Sequence, residues 1–358
     1  MDAFGSDHYM PVLFTKAGER DALKAIDDAS KASFTPLLVV HPIAWNFERD
    51  QWEKTIDAHL AKLPAELVKS WGKRDAFIDV RHVDGEEMAD GRHPIEWVVA
   101  QARSEGLTLV PVVTPSNSAE YVSGVRRLLS GPTNEVCLRL DAGEWPVPPQ
   151  DTAIDDFIRS IGTTKANVHL VLDLRDNTEA SARFALMTAL RSLATPRSWK
   201  TLTVTATAMP QVTPSGRGIH EVLRADWSNY RNLIDNSQYG SRKPTFGDYG
   251  IAHPDPLADI DPRMLQISAK LKYTCEDKWL LARGGLYKAN GGRSGGSDEI
   301  RPVARQLVAR REFTATHCGG DRWISSAAGA GAAGNPRTWV KIATWHHLQR
   351  VVGQIAQS

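Results

Sequence analysis

Short apolar runs alternate with longer amphipathic stretches along most of this chain. The runs are Pro11–Thr15, Pro36–His41, Ala76–Val83, Leu107–Thr114, Glu135–Asp141, Asn167–Leu174, Trp199–Thr205 and Pro244–Ala252. Val, Ile, Leu and Thr dominate them, and most are nearly continuous rather than alternating. Strands buried on both faces of a parallel sheet read in this way. Between the runs, periodicity predicts helices over Gly18–Ala29, Asp50–Trp71, His93–Glu105, Ser118–Leu129, Asp151–Ile161, Thr178–Leu193 and Gly218–Asn236. A last helix is predicted over Pro336–Ile355, opened by Asn335 as N-cap and Pro336 at the first helical position.

Eight strands in alternation with eight helices predict an α/β fold of the (β/α)8 TIM-barrel type rather than an open doubly wound sheet. The turn after the first run, Thr15-Lys16-Ala17-Gly18-Glu19-Arg20, is no G-x-G-x-x-G dinucleotide fingerprint. The rhythm breaks after strand eight. Residues 254–335 hold strand-like stretches at Leu265–Tyr273 and Lys278–Lys288, and a Gly/Ser loop at 290–297. A basic helical run, Asp298–Phe313, and a small-residue tract at 325–335 follow. The expected organisation is a barrel of residues 1–253 and 336–358, with residues 254–335 inserted between strand eight and the last helix as a cap or subdomain. Such an insertion leaves from the face where barrels of this type keep their sites.

Length fits this picture, because a barrel needs about 250 residues and the chain has 358. Charge is balanced, with 43 Lys+Arg against 42 Asp+Glu, so a nucleic-acid partner is not expected. The 3 cysteines, Cys137, Cys275 and Cys318, make no disulfide framework and read as reduced thiols of a cytoplasmic protein. No apolar run approaches the ~20 residues of a membrane span, and no signal peptide opens the chain.

Candidate chemistry gathers at strand ends. Residues i and i+2 of a strand share a face, which pairs Asp79 with Arg81, Arg139 with Asp141, and Asp173 with Arg175. With Lys16 after strand one, His41 after strand two, and Asp248 and Tyr249 in strand eight, these pairs predict an ionic barrel mouth. The arginines would hold phosphate or carboxylate, and Asp79, Asp141 and Asp173 would supply acid/base chemistry. The bland alternative is a set of structural ion pairs closing the barrel top. Replacing Asp141 or Asp173 by Ala is expected to spare folding and abolish binding or activity. His317 and Cys318 could join His253 at a metal, but nothing in their spacing demands it, and no metal is expected. His346 shares a helix face with Arg350 and reads as a surface or barrel-end pair. The arginines at 301, 305, 310 and 311 read either as a solvated helix face or as a contact for a partner. No H-E-x-x-H, G-x-S-x-G or P-loop motif occurs, and no cofactor is indicated.

Several motifs together resemble the beta protein family of phages, satellite phages and bacterial genomes. They are Tyr9-Met10-Pro11-Val12-Leu13 with Lys16-Ala17-Gly18-Glu19, Phe246-Gly247-Asp248-Tyr249-Gly250 with His253-Pro254, Lys272-Tyr273-Thr274, and His317-Cys318 with Asp321-Arg322-Trp323. Asn335-Pro336 with His346-His347 completes the set. The resemblance spans nearly the whole chain. It implies a role in anti-phage defence, as an antitoxin or sensor that binds a toxin-like or phage protein. It also brings Lys16, Asp248, Tyr249, Lys272 and Tyr273 forward as ligand-binding candidates. Two function classes follow: a partner-binding protein or one that holds a small anionic ligand at the mouth, and a barrel enzyme acting on a phosphorylated or nucleotide-like substrate.

Overall fold

The computed structural model describes residues 1–131, 134–146, 152–193, 195–256, 267–288 and 296–357. The eight apolar runs form eight parallel strands that close into a barrel. These are β1 (Tyr9–Phe14), β2 (Leu37–Val39), β3 (Ala76–Asp79), β4 (Leu109–Val113), β5 (Val136–Asp141), β6 (Val168–Asp173) and β7 (Thr201–Ala206). The eighth, β9 (Thr245–Asp248), follows a strand of a separate sheet, β8 (Gly218–Leu223). Closure pairs Tyr9 of β1 with Phe246 of β9, and Val12 of β1 with Leu37 of β2.

Period two sorts the side chains. Met10, Val12, Val39, Phe77, Val110, Cys137 and Val171 fill the lumen. Tyr9, Leu38, Ile78, Leu138, Leu170 and Val204 pack outward into the large core. Both faces are apolar, which is why the strands read as continuous runs. At the N-terminal ends of the strands, Phe4 stacks on His8 at 4.5 Å and meets the edge of Phe77 at 6.4 Å, closing that end of the lumen.

The surrounding helices are α1 (Ala17–Ala25), α2 (Leu63–Trp71), α3 (Pro94–Ser104), α4 (Ala119–Leu129), α5 (Ala153–Ser160), α6 (Ala180–Ser192) and α7 (Ala225–Asp235). Two expected helices are shorter than their periodicity predicts. Residues Asp50–Trp52 do not open α2. Gln51–Trp52 pairs with Trp45–Asn46 in a small hairpin, the two tryptophan rings meeting edge-on at 5.0 Å. The Asn46 side chain accepts the N–H groups of Glu48 and Arg49, and Asp50 is left-handed at φ 51. Local side-chain bonds of this kind draw the backbone out of helix and into a turn. Gly218–Leu223, expected at the start of α7, is strand β8. Its Ile-His-Glu-Val sequence alternates and pairs antiparallel along β11 (Lys278–Lys288).

The insertion completes this second sheet with β10 (Ile267–Thr274), in the order β8-β11-β10. Against it pack α8 (Ile300–Val308), α9 (Gly319–Ala328) and the start of α10 (Pro336–Ile355). Leu271, Tyr273, Leu280, Val303, Leu307, Ile324, Trp339 and Ile342 form that core. The α10 helix begins as expected, the Asn335 side chain accepting the Thr338 N–H at 3.0 Å. It then continues into the barrel core through Leu348, Val351 and Ile355. Most of the expected Gly/Ser loop lies outside the described residues.

Within the basic run, Arg311 is exposed, whereas two of its arginines serve a neighbouring helix. Arg301 donates to the carbonyls of Ala327, Gly329 and Gly331, and Arg305 to that of Ala328. These are the orphan acceptors at the C-terminus of α9, where a cation also meets the negative end of the helix dipole.

Candidate functional site

Arg139 occupies the centre of the barrel mouth. It projects inward from β5 two residues beyond Cys137, and only 2% of it is exposed. Its Nε donates to Asp173 at 2.8 Å and another guanidinium nitrogen to Asp79 at 2.9 Å. The third donates to the Tyr249 hydroxyl at 2.5 Å, and that hydroxyl donates in turn to Asp173 at 2.6 Å. Arg81 closes the set, its Nε donating to Asp79 at 2.8 Å. Burial pushes the Asp79 carboxyl up, but Arg81 and Arg139 outweigh it and hold the pKa below the usual value. Buried charges at this density persist only when each is paired and hydrogen-bonded. Asp79 and Asp173 are therefore committed to the floor of the mouth.

Asp141 is different. It stands at the rim, with its side chain 41% exposed, 4.0 Å from Arg81 and 3.8 Å from Arg175. Its Oδ1 has no hydrogen-bond partner. Partial burial, reinforced by Asp173, raises its pKa against the pull of the arginines. Arg175 is held in a left-handed conformation, φ 54, and its guanidinium pairs with Asp255.

Beyond Asp255 the mouth opens into a cleft of about 600 Å³ between the β1 and β9 loops, the inserted sheet and the start of α10. Alternation along β10 places Ser268, Lys270 and Lys272 on the cleft side, while Ala269, Leu271 and Tyr273 enter the inserted core. Lys16 approaches from the N-cap of α1, its ammonium 5.4 Å from the Phe14 ring centre. Lys272 donates to the Ile251 carbonyl at 2.7 Å. Burial, with Lys270 beside it, lowers its pKa to about 8 although Glu19 pulls the other way. Glu19 itself is 8% exposed, and burial raises its carboxyl to about 7 against the lysines and Arg20. Among the described residues, the other acid lining the cleft, Asp255, is engaged by Arg175. Arg337 is engaged by Asp21.

The structure thus gathers Asp79, Arg81, Arg139, Asp141, Asp173, Arg175 and Tyr249 at the mouth, with Lys16 and Lys272 in the adjoining cleft. Three candidates lie elsewhere. Asp248 points out of the barrel, where Tyr9 donates to it at 2.5 Å and His347 contacts it at 2.9 Å. Tyr273 stacks on His346 at 4.0 Å in the inserted core. His41 lines a separate cavity of about 300 Å³ with Arg20, Lys54 and His59, its pKa lowered to about 4 by burial and by the His59 beside it. His346, expected in a surface or barrel-end pair with Arg350, is 2% exposed and meets Asp321, while Arg350 pairs with Glu276. Lys270, Glu19 and Asp255 were missed. Alternation from Lys272 could have found Lys270, whereas Glu19 reads as an ordinary first-turn acid and Asp255 lies beyond the strand pattern. Among the described residues, no trio of metal-ligating side chains converges in the mouth or cleft.

A family described as Beta protein matches residues 9–353. No curated protein sequence matches the chain. Among solved structures, it is similar to 3-dehydroquinate dehydratase from Enterococcus faecalis, with a TM-score of 0.36 and 10% identity over 69% of this chain and 90% of that one. It is also similar to a modular endo-beta-1,4-mannanase from Cellulomonas fimi, with a TM-score of 0.41 and 13% identity over 72% of this chain and 68% of that one.

Proposed function

The chain belongs to the Beta protein family, and on that premise we propose that it binds a small anion, of phosphate or carboxylate type, in the cleft between the barrel mouth and the inserted sheet. One observation carries this reading: Lys16, Lys270 and Lys272 line a single cleft in which, among the described residues, Glu19 is the sole acid not paired with an arginine. Glu19, its pKa raised by burial to about 7, is itself about half protonated near neutral pH. Such a cleft holds net positive charge behind low-dielectric walls, which raises the local concentration of anions. Its volume lies within the ~300–1,000 Å³ of small-molecule sites. A sensor or antitoxin would use the same cleft as its input, so the partner-binding role implied by the family is compatible with a ligand there.

Titration calorimetry with pyrophosphate tests the proposal. Binding to the wild-type protein is expected, weakened by about tenfold or more in a Lys16→Ala, Lys270→Ala double variant, since each tenfold is ~1.4 kcal/mol. Equal affinity in the two proteins, or no binding to either, removes the reading.

Asp141 favours a second reading, a barrel enzyme acting on a phosphorylated substrate. A raised carboxyl whose Oδ2 faces two arginines and whose Oδ1 has no partner is placed to act as general acid or base beside a bound anion. Phosphate release from nucleoside phosphates is the measurement. Release that persists in Asp141→Asn would rule out this role.

A further inference from the structure

Away from the mouth, α9 begins at a tight Cys-Gly-Gly-Asp turn. A Cβ on Gly319 would fall 2.0 Å from the Trp345 ring, and one on Gly320 would fall 3.1 Å from the Ile342 carbonyl oxygen. The two glycines let the turn press against α10, which brings Cys318 and Asp321 up to His346. One ligand atom from each of these buried residues lies within 4.8 Å of the others.

The orientation of His346 is informative. Its Nε2 lies 2.8 Å from the Thr274 carbonyl oxygen, a contact that requires the proton on that nitrogen. Nδ1 then faces Asp321 Oδ1 at 3.0 Å. Metal-ligating imidazoles are commonly anchored in this way, with the outer N–H on a backbone carbonyl and the inner lone pair aimed at the ion. Asp321 is fully buried, and with the His346 proton on Nε2 its Oδ1 and the Nδ1 lone pair face each other with no hydrogen between them, a gap that a cation would fill. Beside the group stands His317, its ring 5.4 Å from that of His346 and its Nε2 buried without a partner. A cavity of about 310 Å³ lined by His317 and His346 supplies an entry path.

We propose that Cys318, Asp321 and His346 bind a zinc ion, with His317 as the fourth ligand. A thiolate, imidazole and carboxylate set suits Zn²⁺ and is a poor match for the hard, oxygen-seeking Mg²⁺ and Ca²⁺. Zinc–ligand bonds of about 2.0–2.3 Å put tetrahedral ligand atoms roughly 3.5 Å apart, so Cys318, Asp321 and His346 need to contract by about an ångström, and His317, which stands outside that trio, needs to swing in further. Binding releases the thiol proton of Cys318 and any proton shared between Asp321 and His346, and the cation takes their place. The ion would join α9 to α10 and, through Thr274, to β10. Sequence spacing hides the set, because His346 comes from a different helix and His253, the histidine the motif suggested, is held at Asp176 in the mouth region.

The test uses the full chain. Protein purified without chelator is analysed for bound metal, then stripped and titrated with Co²⁺. The expected results are stoichiometric zinc and, on adding Co²⁺, a near-ultraviolet thiolate-to-cobalt charge-transfer band that Zn²⁺ abolishes. Cys318→Ser loses the band, Cys275→Ser keeps it, and His317→Ala weakens Co²⁺ binding about tenfold or more. Absence of the band in the wild-type protein overturns the proposal without recourse to any variant. So does a band that survives Cys318→Ser.

Discussion

Asp248 and Tyr249 are adjacent in the chain and point out of opposite faces of the barrel wall. The Asp248 carboxylate meets His347 of the last helix at 2.9 Å, while the Tyr249 hydroxyl donates to Asp173 in the mouth at 2.6 Å. One residue therefore fastens the barrel to its outer layer and the next belongs to the candidate site. Replacing His347 by Leu leaves a fully buried carboxylate short of one charge-assisted bond, a loss of about 2–3 kcal/mol. Urea unfolding should show that loss, with pyrophosphate affinity unchanged. A fall in affinity at constant stability would contradict the separation.

The mouth aspartates, alike in sequence, should behave differently. Asp173→Asn leaves Arg139 buried beside a lost partner, and breaking such a pair costs about 3–5 kcal/mol. Asp141→Asn removes a half-exposed charge with long contacts, worth about 1 kcal/mol or less. The melting temperature should fall steeply for the first and hardly move for the second. Similar shifts in both would show that the rim is as structural as the floor.

Binding in the cleft should depend on pH. The Glu19 carboxyl titrates near pH 7 in the folded chain, so it gains a proton, and loses its repulsion of anions, as pH falls through 7. Lys272 is charged below about 8. Affinity for sulfate, whose charge is constant over this range, should rise from pH 8.5 to 6, about where these groups titrate, and Glu19→Gln should remove the step near 7. A flat profile in the wild-type protein would refute this account. Stability carries its own signature. Glu19, with its folded pKa raised, destabilises the fold as pH rises from the unfolded value of 4.5 to about 7. Lys272, with its folded pKa lowered, stabilises the fold increasingly as pH rises from about 8 to 10.5.

Gly18 forms the wall where α1 and α10 touch. A Cβ there would lie 2.6 Å from Val340, and overpacking of this kind costs roughly 1–3 kcal/mol. Gly18→Ala should lower stability, and combined with Val340→Gly, which clears both contacting atoms of Val340, should cost less than the two single losses summed. Additive losses in the double variant would show that the contact is not the cause.

The barrel was legible because its strands are apolar on both faces, so each run announced itself without reference to any partner. Which charges face the lumen was also legible, through the parity of Asp79, Arg139 and Asp173. The same parity rule separates Asp248 from Tyr249 and Lys272 from Tyr273, and applying it strictly would have sent one of each pair elsewhere. The strand at Gly218–Leu223 was hidden because its pairing partner lies in the insertion. Whether His346 is buried depends on a turn made by Cys318 to Asp321, and no pattern within α10 reveals that.

The last helix belongs to two cores at once, carrying Trp339 and Ile342 into the inserted layer and Leu348, Val351 and Ile355 into the barrel. It is also the last of the described elements to be synthesised, and its first turns line the cleft. On the ribosome, the strands and helices before it can collapse early, but the inserted layer has no complete core and the cleft no complete wall until this segment emerges. Domains generally mature as units in order of synthesis. Here ligand competence should arrive all at once, when this segment has emerged, so a product truncated before it would be silent rather than partly active.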